Sequence, residues 1–314
     1  MVIGRCPLCG SRKTRLEEVI EWRVLGGLYE QLLPGFDMSS LVVGPELEYR
    51  ICSVCRLGFF FPALEGSPDF YDALSMKSWY YQQEKPEYEI ARRYIREDDR
   101  VVDVGCGSGE FATHIPLASY IGIEPNERAV TKAILLGRDV ILGSFESFFE
   151  NRSDAFDVVC CFQILEHVAN PGRFFKLIGN FIRDGGLLIV SVPNAESFLA
   201  LESNQPLNYP PHHLTWWTAS VLEKMADIFG YRVVTIEYDV LTERFARRYS
   251  TELILEALRR ILRRNRRMVG ESHVDRVFRR GASQLGRFLA IAVKDGKFGG
   301  HGHSVTAVLR RRNT

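Results

Sequence analysis

Val101-Val102-Asp103-Val104-Gly105-Cys106-Gly107-Ser108-Gly109 is the stretch on which the reading of this chain turns. It reads as a short buried strand with an acid near its end, then glycines at alternate positions opening a helix. Glycine permits backbone angles closed to residues with a Cβ and lets a ligand rest on the main chain. In an open α/β sheet, a ligand is held in the crevice beyond the carboxyl end of a strand. A dinucleotide fingerprint, G-x-G-x-x-G, would need a glycine where Glu110 stands, and a P-loop would end in Gly-Lys-Ser/Thr. Neither pattern is present. The loop is therefore not read as a pyrophosphate cradle.

With Glu110-Phe111-Ala112 added, the run resembles the first motif of class I S-adenosylmethionine-dependent methyltransferases. The resemblance implies an α/β fold, a Rossmann-like seven-stranded, mostly parallel sheet with helices on both faces. It also implies that Gly105, Cys106, Gly107 and Gly109 seat the amino-acid end of S-adenosylmethionine, with Asp103 helping to orient it. Downstream, strand and helix alternate as in a parallel sheet. Tyr120 to Ile123 is the second strand and ends at Glu124, followed by Pro125. An acid about twenty residues past the glycine loop accepts hydrogen bonds from both hydroxyls of a ribose. Asp139 to Leu142 is the third strand, and in the family the loop after it lies against the adenine, here Ser144, Phe145 and Glu146. Phe156 to Gln163 is the fourth, leaving through Leu165-Glu166-His167-Val168. That exit resembles the one in small-molecule O-methyltransferases such as those of quinone biosynthesis, and Gln163 joins the cofactor set.

Ahead of this core stand two C-x-x-C pairs, Cys6/Cys9 and Cys52/Cys55. Paired thiolates at this spacing face one ion across a tight turn, and four of them make a closed tetrahedral zinc site. Such a site is a structural staple with no open position for substrate. Gly10 follows the first pair, but Arg56 stands where the second knuckle would carry glycine, and 42 residues separate the pairs. Aromatic residues then cluster before the glycine loop. In the zinc-knuckle methyltransferases that the chain resembles, such a segment covers the cofactor, which points to Tyr80 and Tyr81.

The expected organisation is a zinc-ribbon-like module over 1–62, an aromatic and helical connector over 63–98, a methyltransferase core over 99–240, a basic helical insertion over 241–300, and a last core strand with a tail over 301–314. Polar helix is expected from Pro86 to Arg96, a turn at Arg183 to Gly186, and strands at Leu187 to Val192, Tyr231 to Val240 and Ser304 to Leu309. The net charge of +1 hides a balance of +7 between Leu241 and Arg280. There Ile254, Leu258, Ile261 and Leu262 share one helical face, with Arg259 and its neighbours on the rest. The functional options for the 244–280 basic helices are an anionic substrate, a membrane surface or nucleic acid. No apolar run approaches a membrane span and Met1 to Gly10 lacks a signal-peptide core, so a cytoplasmic location is the default expectation.

Methyl transfer from a sulfonium is an in-line displacement that needs mainly orientation. A hydroxyl nucleophile must also lose a proton, and histidine suits that task near neutral pH. His212 and His213, in the loop Tyr209-Pro210-Pro211-His212-His213, are the preferred bases and His167 is next, whereas His114 is read as structural. The function expected is O-methylation of a sugar or other small-molecule hydroxyl. An RNA methyltransferase gripping phosphates with its arginines and a non-catalytic cofactor-binding scaffold are the competing readings.

Overall fold

The computed structural model describes residues 4–41, 44–77, 80, 85–116, 119–150, 152, 155–294 and 302–313. Tyr81 lies outside the described residues. Strand β1 (Thr14–Glu21) runs into helix α1 (Trp22–Leu32), and β2 (Glu46–Cys52) and β3 (Gly58–Phe61) complete the N-terminal segment. Helices α2 (Pro68–Ser75) and α3 (Pro86–Arg92) lead to β4 (Arg100–Val104). Beyond it come β5 (Ser119–Glu124), α4 (Glu127–Leu135), β6 (Val140–Leu142), α5 (Phe145–Glu150), β7 (Phe156–Phe162), α6 (Pro171–Gly179) and β8 (Ile182–Pro193). The last elements are β9 (Thr215–Trp216), α7 (Ala219–Ile228), β10 (Tyr231–Tyr238), α8 (Glu243–Ile261), α9 (His273–Lys294) and β11 (Ser304–Arg311).

Seven strands form one sheet in the order β10-β11-β8-β7-β4-β5-β6, with β11 antiparallel to both its neighbours and the other pairings parallel. This is the expected Rossmann-like plan. The chain leaves β4 in one direction to β5 and β6 and returns on its other side to β7 and β8. The order thus reverses at β4, and a crevice opens beyond its carboxyl end. Two expected boundaries shift. The residues expected to turn at Arg183 to Gly186 instead belong to β8, because β7 and β8 pair through a register shift between Phe156 and Val158. Helix α3 stops at Arg92, four residues short of the expected end.

The N-terminal strands form a second, antiparallel sheet in the order β1-β2-β3-β9. Its fourth strand comes from far along the chain, pairing Gly58 with Trp216 and Phe59 with Thr215. Cys6, Leu8, Cys52, Cys55, Leu57 and Phe59 belong to the same buried cluster as Phe174, Phe175, Val190 and Trp217 of the large sheet and its helices. One hydrophobic core therefore underlies both sheets. Each fully buried large side chain there stabilises the fold by about 1.5–3 kcal/mol.

Helices α8 and α9 pack against each other so closely that a Cβ on Gly286 would lie 2.9 Å from Thr251 Oγ1 and 3.1 Å from its amide nitrogen. The buried row of α8 differs from the expected one. Ala246, Tyr249, Leu255 and Arg259 are buried, whereas Ile261 and Leu262 are exposed. Arg259 faces α9 rather than solvent, where Glu271 at 3.9 Å and Asp275 at 3.7 Å neutralise it. Arg248 is bidentate to buried Glu202, and Arg279 pairs with Glu252 and Glu271. Several arginines that look solvated in the sequence are thus structural. No helix among the described residues is long and apolar enough to cross a membrane.

Candidate active site

The glycine loop leaves β4 with Gly105, Gly107 and Gly109 all at positive φ (70°, 58° and 68°). The amides of Gly105 and Cys106 both donate to the Ile123 carbonyl at the end of β5 (2.8 and 3.2 Å). Glu124 ties the loop from the other side, accepting from the Gly107 amide and the Asn126 amide through different oxygens, both at 2.9 Å. Each carboxylate oxygen keeps a further lone pair. The expected ribose acceptor therefore also braces the loop. Burial pushes Glu124 above the usual carboxylate range, against these two amides and the charge of Lys85.

Asp103 is buried near the end of β4. Tyr120 donates its hydroxyl to Oδ2 at 3.0 Å, while Oδ1 has no partner among the described residues. Burial pushes this carboxyl up to about 7, opposed by the Tyr120 hydrogen bond and Lys85. A buried acceptor without a donor is costly to leave unpaired. It fits a ligand that brings a cationic amine, and S-adenosylmethionine carries one. Cys106 turns the other way, its side chain packed with Val130, Ala133 and Val140. It serves the loop by packing.

Ser144 and Phe145 lie at the start of α5, where the Ser147 amide donates to Ser144 Oγ (3.2 Å) and Phe145 stacks edge-on against Phe174. Glu146 sits in the same first turn. Pro125 is exposed beside them. Gln163, at φ 60°, spends its amide on Glu87, Ser191 and Ser304 (3.1–3.3 Å) and so binds α3 to the sheet.

Ile164 packs directly on the bare Cα of Gly105, which places the turn Leu165–His167 beside the glycine loop. Here the three histidines meet. Ring centroids are 4.5 Å apart for His167 and His212, 4.6 Å for His212 and His213, and 5.1 Å for His167 and His213. His167 donates from Nδ1 to the His212 carbonyl (2.6 Å), and His212 donates from Nδ1 to the Leu207 carbonyl (2.9 Å). Tyr80 places its hydroxyl 3.2 Å from His212 Nε2. Burial pushes His167 down to about 4 and the other two well below the usual imidazole range. All three are neutral at pH 7. His114 stands apart, 3.7 Å from Glu89 on the far side of the glycine turn.

The loop that carries these histidines is held from both sheets. The Leu214 amide donates to the Glu166 carbonyl (2.6 Å), and the Leu214 carbonyl accepts from the Phe60 amide (3.0 Å). A small cavity of about 20 Å³ reaches His213 past Asn194, Asn208 and Trp216. A larger one of about 400 Å³ shares Ala195, Ala200 and Trp216 with it and is walled by Glu18, Tyr49, Arg56 and Arg266.

Several site residues escaped the sequence reading. Helix α2 spans the crevice, its Asp72 accepting from Asn126 Nδ2 (2.9 Å) and its Tyr71 hydroxyl 3.5 Å from His167 Nδ1. The aromatic run before the glycine loop was the only signal for it. Glu166 is buried with Oε2 unpaired among the described residues. Lys85 lies where its charge acts on Asp103, Glu124, Glu166 and His167 together.

The four cysteine sulfurs converge as their spacing implies, within 4.8 Å of one another. Cys6 and Cys55 are 3.4 Å apart and Cys9 and Cys52 3.6 Å, close to the roughly 3.8 Å edge of a tetrahedral four-thiolate zinc site. Arg56 adopts φ 68°, matching Gly10 at 72°, and the two amides close equivalent turns on Cys52 and Cys6 (3.0 and 2.9 Å). The knuckles therefore share one backbone shape despite the arginine.

The sequence profile of the methyltransferase domain family matches residues 78–236. A ubiquinone biosynthesis O-methyltransferase of Dechloromonas aromatica is 29% identical over 171 residues, 47% of this chain and 72% of that protein. One from Vibrio atlanticus is 32% identical over 103 residues, 30% of this chain and 44% of that protein. Among solved structures, a SAM dependent methyltransferase from Archaeoglobus fulgidus aligns at 19% identity with a TM-score of 0.49, covering 77% of this chain and 100% of that one. With its family match spanning residues 78–236 and its glycine loop at the sheet's reversal point, the chain belongs to the methyltransferase domain family of S-adenosylmethionine-dependent enzymes.

Proposed function

We propose that the chain transfers the methyl group of S-adenosylmethionine to a hydroxyl of a sugar or comparable small molecule. The observation that carries this reading is the contact of Ile164 with Gly105, which sets a cluster of neutral histidines beside the acid-lined glycine loop. Asp103 holds the ammonium through its unpaired oxygen, Glu124 the ribose, and the Ser144–Glu146 turn the adenine. O-methylation is the activity for which the two relatives above are named, and the walls of the larger cavity favour a polyhydroxylated acceptor. Tyr49 and Trp216, packed together with ring centroids 5.1 Å apart, line it, and Glu18, Arg56 and Arg266 offer charged hydrogen-bonding groups.

His213 is the best placed base. Both nitrogens of His212 are engaged, by Leu207 and Tyr80, whereas the ring of His213 makes no hydrogen bond among the described residues and lines the small cavity. It takes the acceptor's proton while the oxygen displaces the sulfur in line. The four cysteines hold zinc, which fixes the wall of the acceptor chamber rather than taking part in transfer.

Replacing His212 and His213 by Ala, assayed with methyl-labelled cofactor, is expected to leave cofactor binding in calorimetry unchanged. Turnover falls by about 10²–10⁴-fold, the usual contribution of general-base catalysis. Wild-type turnover in that variant removes the histidines from the mechanism. Cofactor binding without transfer to any acceptor supports the scaffold reading instead.

The second reading concerns the surface. Val277, Leu285, Phe288 and Ile291 are exposed along α9, with Arg276, Arg280 and Arg287 beside them. That pairing of an apolar row with cations suits the face of an anionic bilayer. Cosedimentation with anionic vesicles, lost in Phe288→Ser, tests it.

A further inference from the structure

We infer that His167, His212 and His213 bind a divalent first-row transition ion at a second metal site, distinct from the four cysteines. The inference rests on the placement of the acceptor at this edge of the sheet and adds an ion to it. One ring nitrogen from each histidine lies within 4.8 Å of the other two. Tetrahedral coordination at bond lengths of about 2.0–2.1 Å would bring them to about 3.4 Å. The closing movement falls to His213, whose ring packs against His212 and His167 but makes no hydrogen bond among the described residues.

Two further observations point to a ligand. A histidine that binds metal through one nitrogen almost always donates its other N–H to a carbonyl or carboxylate, which fixes the tautomer. His167 and His212 both do this, each through Nδ1 to a main-chain carbonyl. Their Nε2 atoms therefore carry lone pairs. The second observation is what those lone pairs meet. Among the described residues His167 Nε2 has Glu166 Oε1 nearest, at 3.7 Å, too long for a hydrogen bond. His212 Nε2 has the Tyr80 hydroxyl at 3.2 Å. Two tautomer-locked rings and a third beside them, with one nitrogen of each within 4.8 Å of the others, fit a ligand set.

The donor set names the ion class. Neutral imidazole nitrogens suit zinc, cobalt, nickel or iron(II) over magnesium or calcium, which take oxygen. Three protein ligands leave a fourth position open, as in catalytic rather than structural sites. The acceptor hydroxyl fills it. With the ion in place His213 would be a ligand rather than the base described above. The acceptor oxygen would bond to the ion and its proton would pass to water. The oxygen then forms a bond to the methyl carbon as the carbon–sulfur bond breaks, and the electron pair stays on sulfur, which leaves as a neutral thioether.

The test uses the full chain, stripped of metal and reloaded with cobalt(II). The expected result is two ions per chain, one with the strong charge-transfer absorption of thiolate ligands and one with the weaker ligand-field bands of nitrogen ligands. His213→Asn, with its unfolding midpoint measured alongside, is expected to weaken the second ion at least about tenfold while leaving the first. A single ion per chain, held entirely by thiolate, overturns the inference. So does a second ion whose affinity His213→Asn does not change. Methyl transfer that persists with only the thiolate ion bound overturns this site yet leaves the O-methylation reading intact.

Discussion

The amide of Gly172, in the first turn of α6, donates to the carbonyl of Pro7 between the first two cysteines at 3.0 Å. Glycine is required there, because a Cβ would lie 2.5 Å from the Leu8 carbonyl oxygen and 2.9 Å from that of Pro7. Backbone cannot swing aside as a side chain can. Gly172→Ala is therefore expected to destabilise the protein by about 1–3 kcal/mol, the cost of overpacking. Denaturant unfolding measures it, and a wild-type midpoint would show that the knuckle is free to shift.

Arg56 predicts an opposite sign. Its φ of 68° places an L side chain in the left-handed region, at a cost of about 1 kcal/mol that glycine would not incur. Arg56→Gly is expected to raise the unfolding midpoint. The same guanidinium lines the larger cavity, so the variant should also show a higher KM for the acceptor. A rise in stability with unchanged KM would restrict the arginine to a conformational accident.

Asp103 sets the pH dependence of cofactor binding. Burial pushes its carboxyl up to about 7, so the free protein holds a proton there below that pH. A cationic ammonium favours the carboxylate, so cofactor binding releases the proton. Affinity should fall by about tenfold per pH unit as the pH drops below 7. For the fold the sign is reversed. The unfolded chain loses this proton first, and stability declines as pH rises from the usual aspartate range to about 7. Calorimetry in two buffers of different ionisation enthalpy should record about one proton released at pH 6 and none with Asp103→Asn.

Removing one thiolate tests the link between the two sheets. Cys52→Ser is expected to lower the unfolding midpoint, because a structural zinc site contributes directly to folding. It should also reduce kcat while sparing cofactor affinity, since the strand paired with Gly58 and Phe59 follows directly on His212 and His213. Equal losses in both constants would mean that the whole core has loosened.

The parts of the molecule legible in its sequence are those written in short stretches. The glycine loop, the acid ending β5 and the paired cysteines each carry their meaning within a few residues. The order of the parallel strands follows from their alternation with helices. What escaped depends on residues far apart in the chain. Nothing near Thr215 announces that it pairs with Phe59, because a two-residue strand has no periodicity to read. Arg259 reads as solvated since charge normally faces water, and Glu271 and Asp275, over ten residues further on, make its burial tolerable. Glu166 is likewise hidden by its own polarity. The histidines were legible as a group on one edge of the sheet, but their ring-to-ring packing needed the turn after β7 and the loop before β9 to be brought together.

The strand β9 belongs to the cysteine-bearing sheet and follows the chain segment that carries the histidines, so it joins the two places directly. Any factor by which metal at the cysteines tightens acceptor binding must equally be the factor by which acceptor tightens the metal. A metal bound there would then be held more firmly with acceptor present than without it.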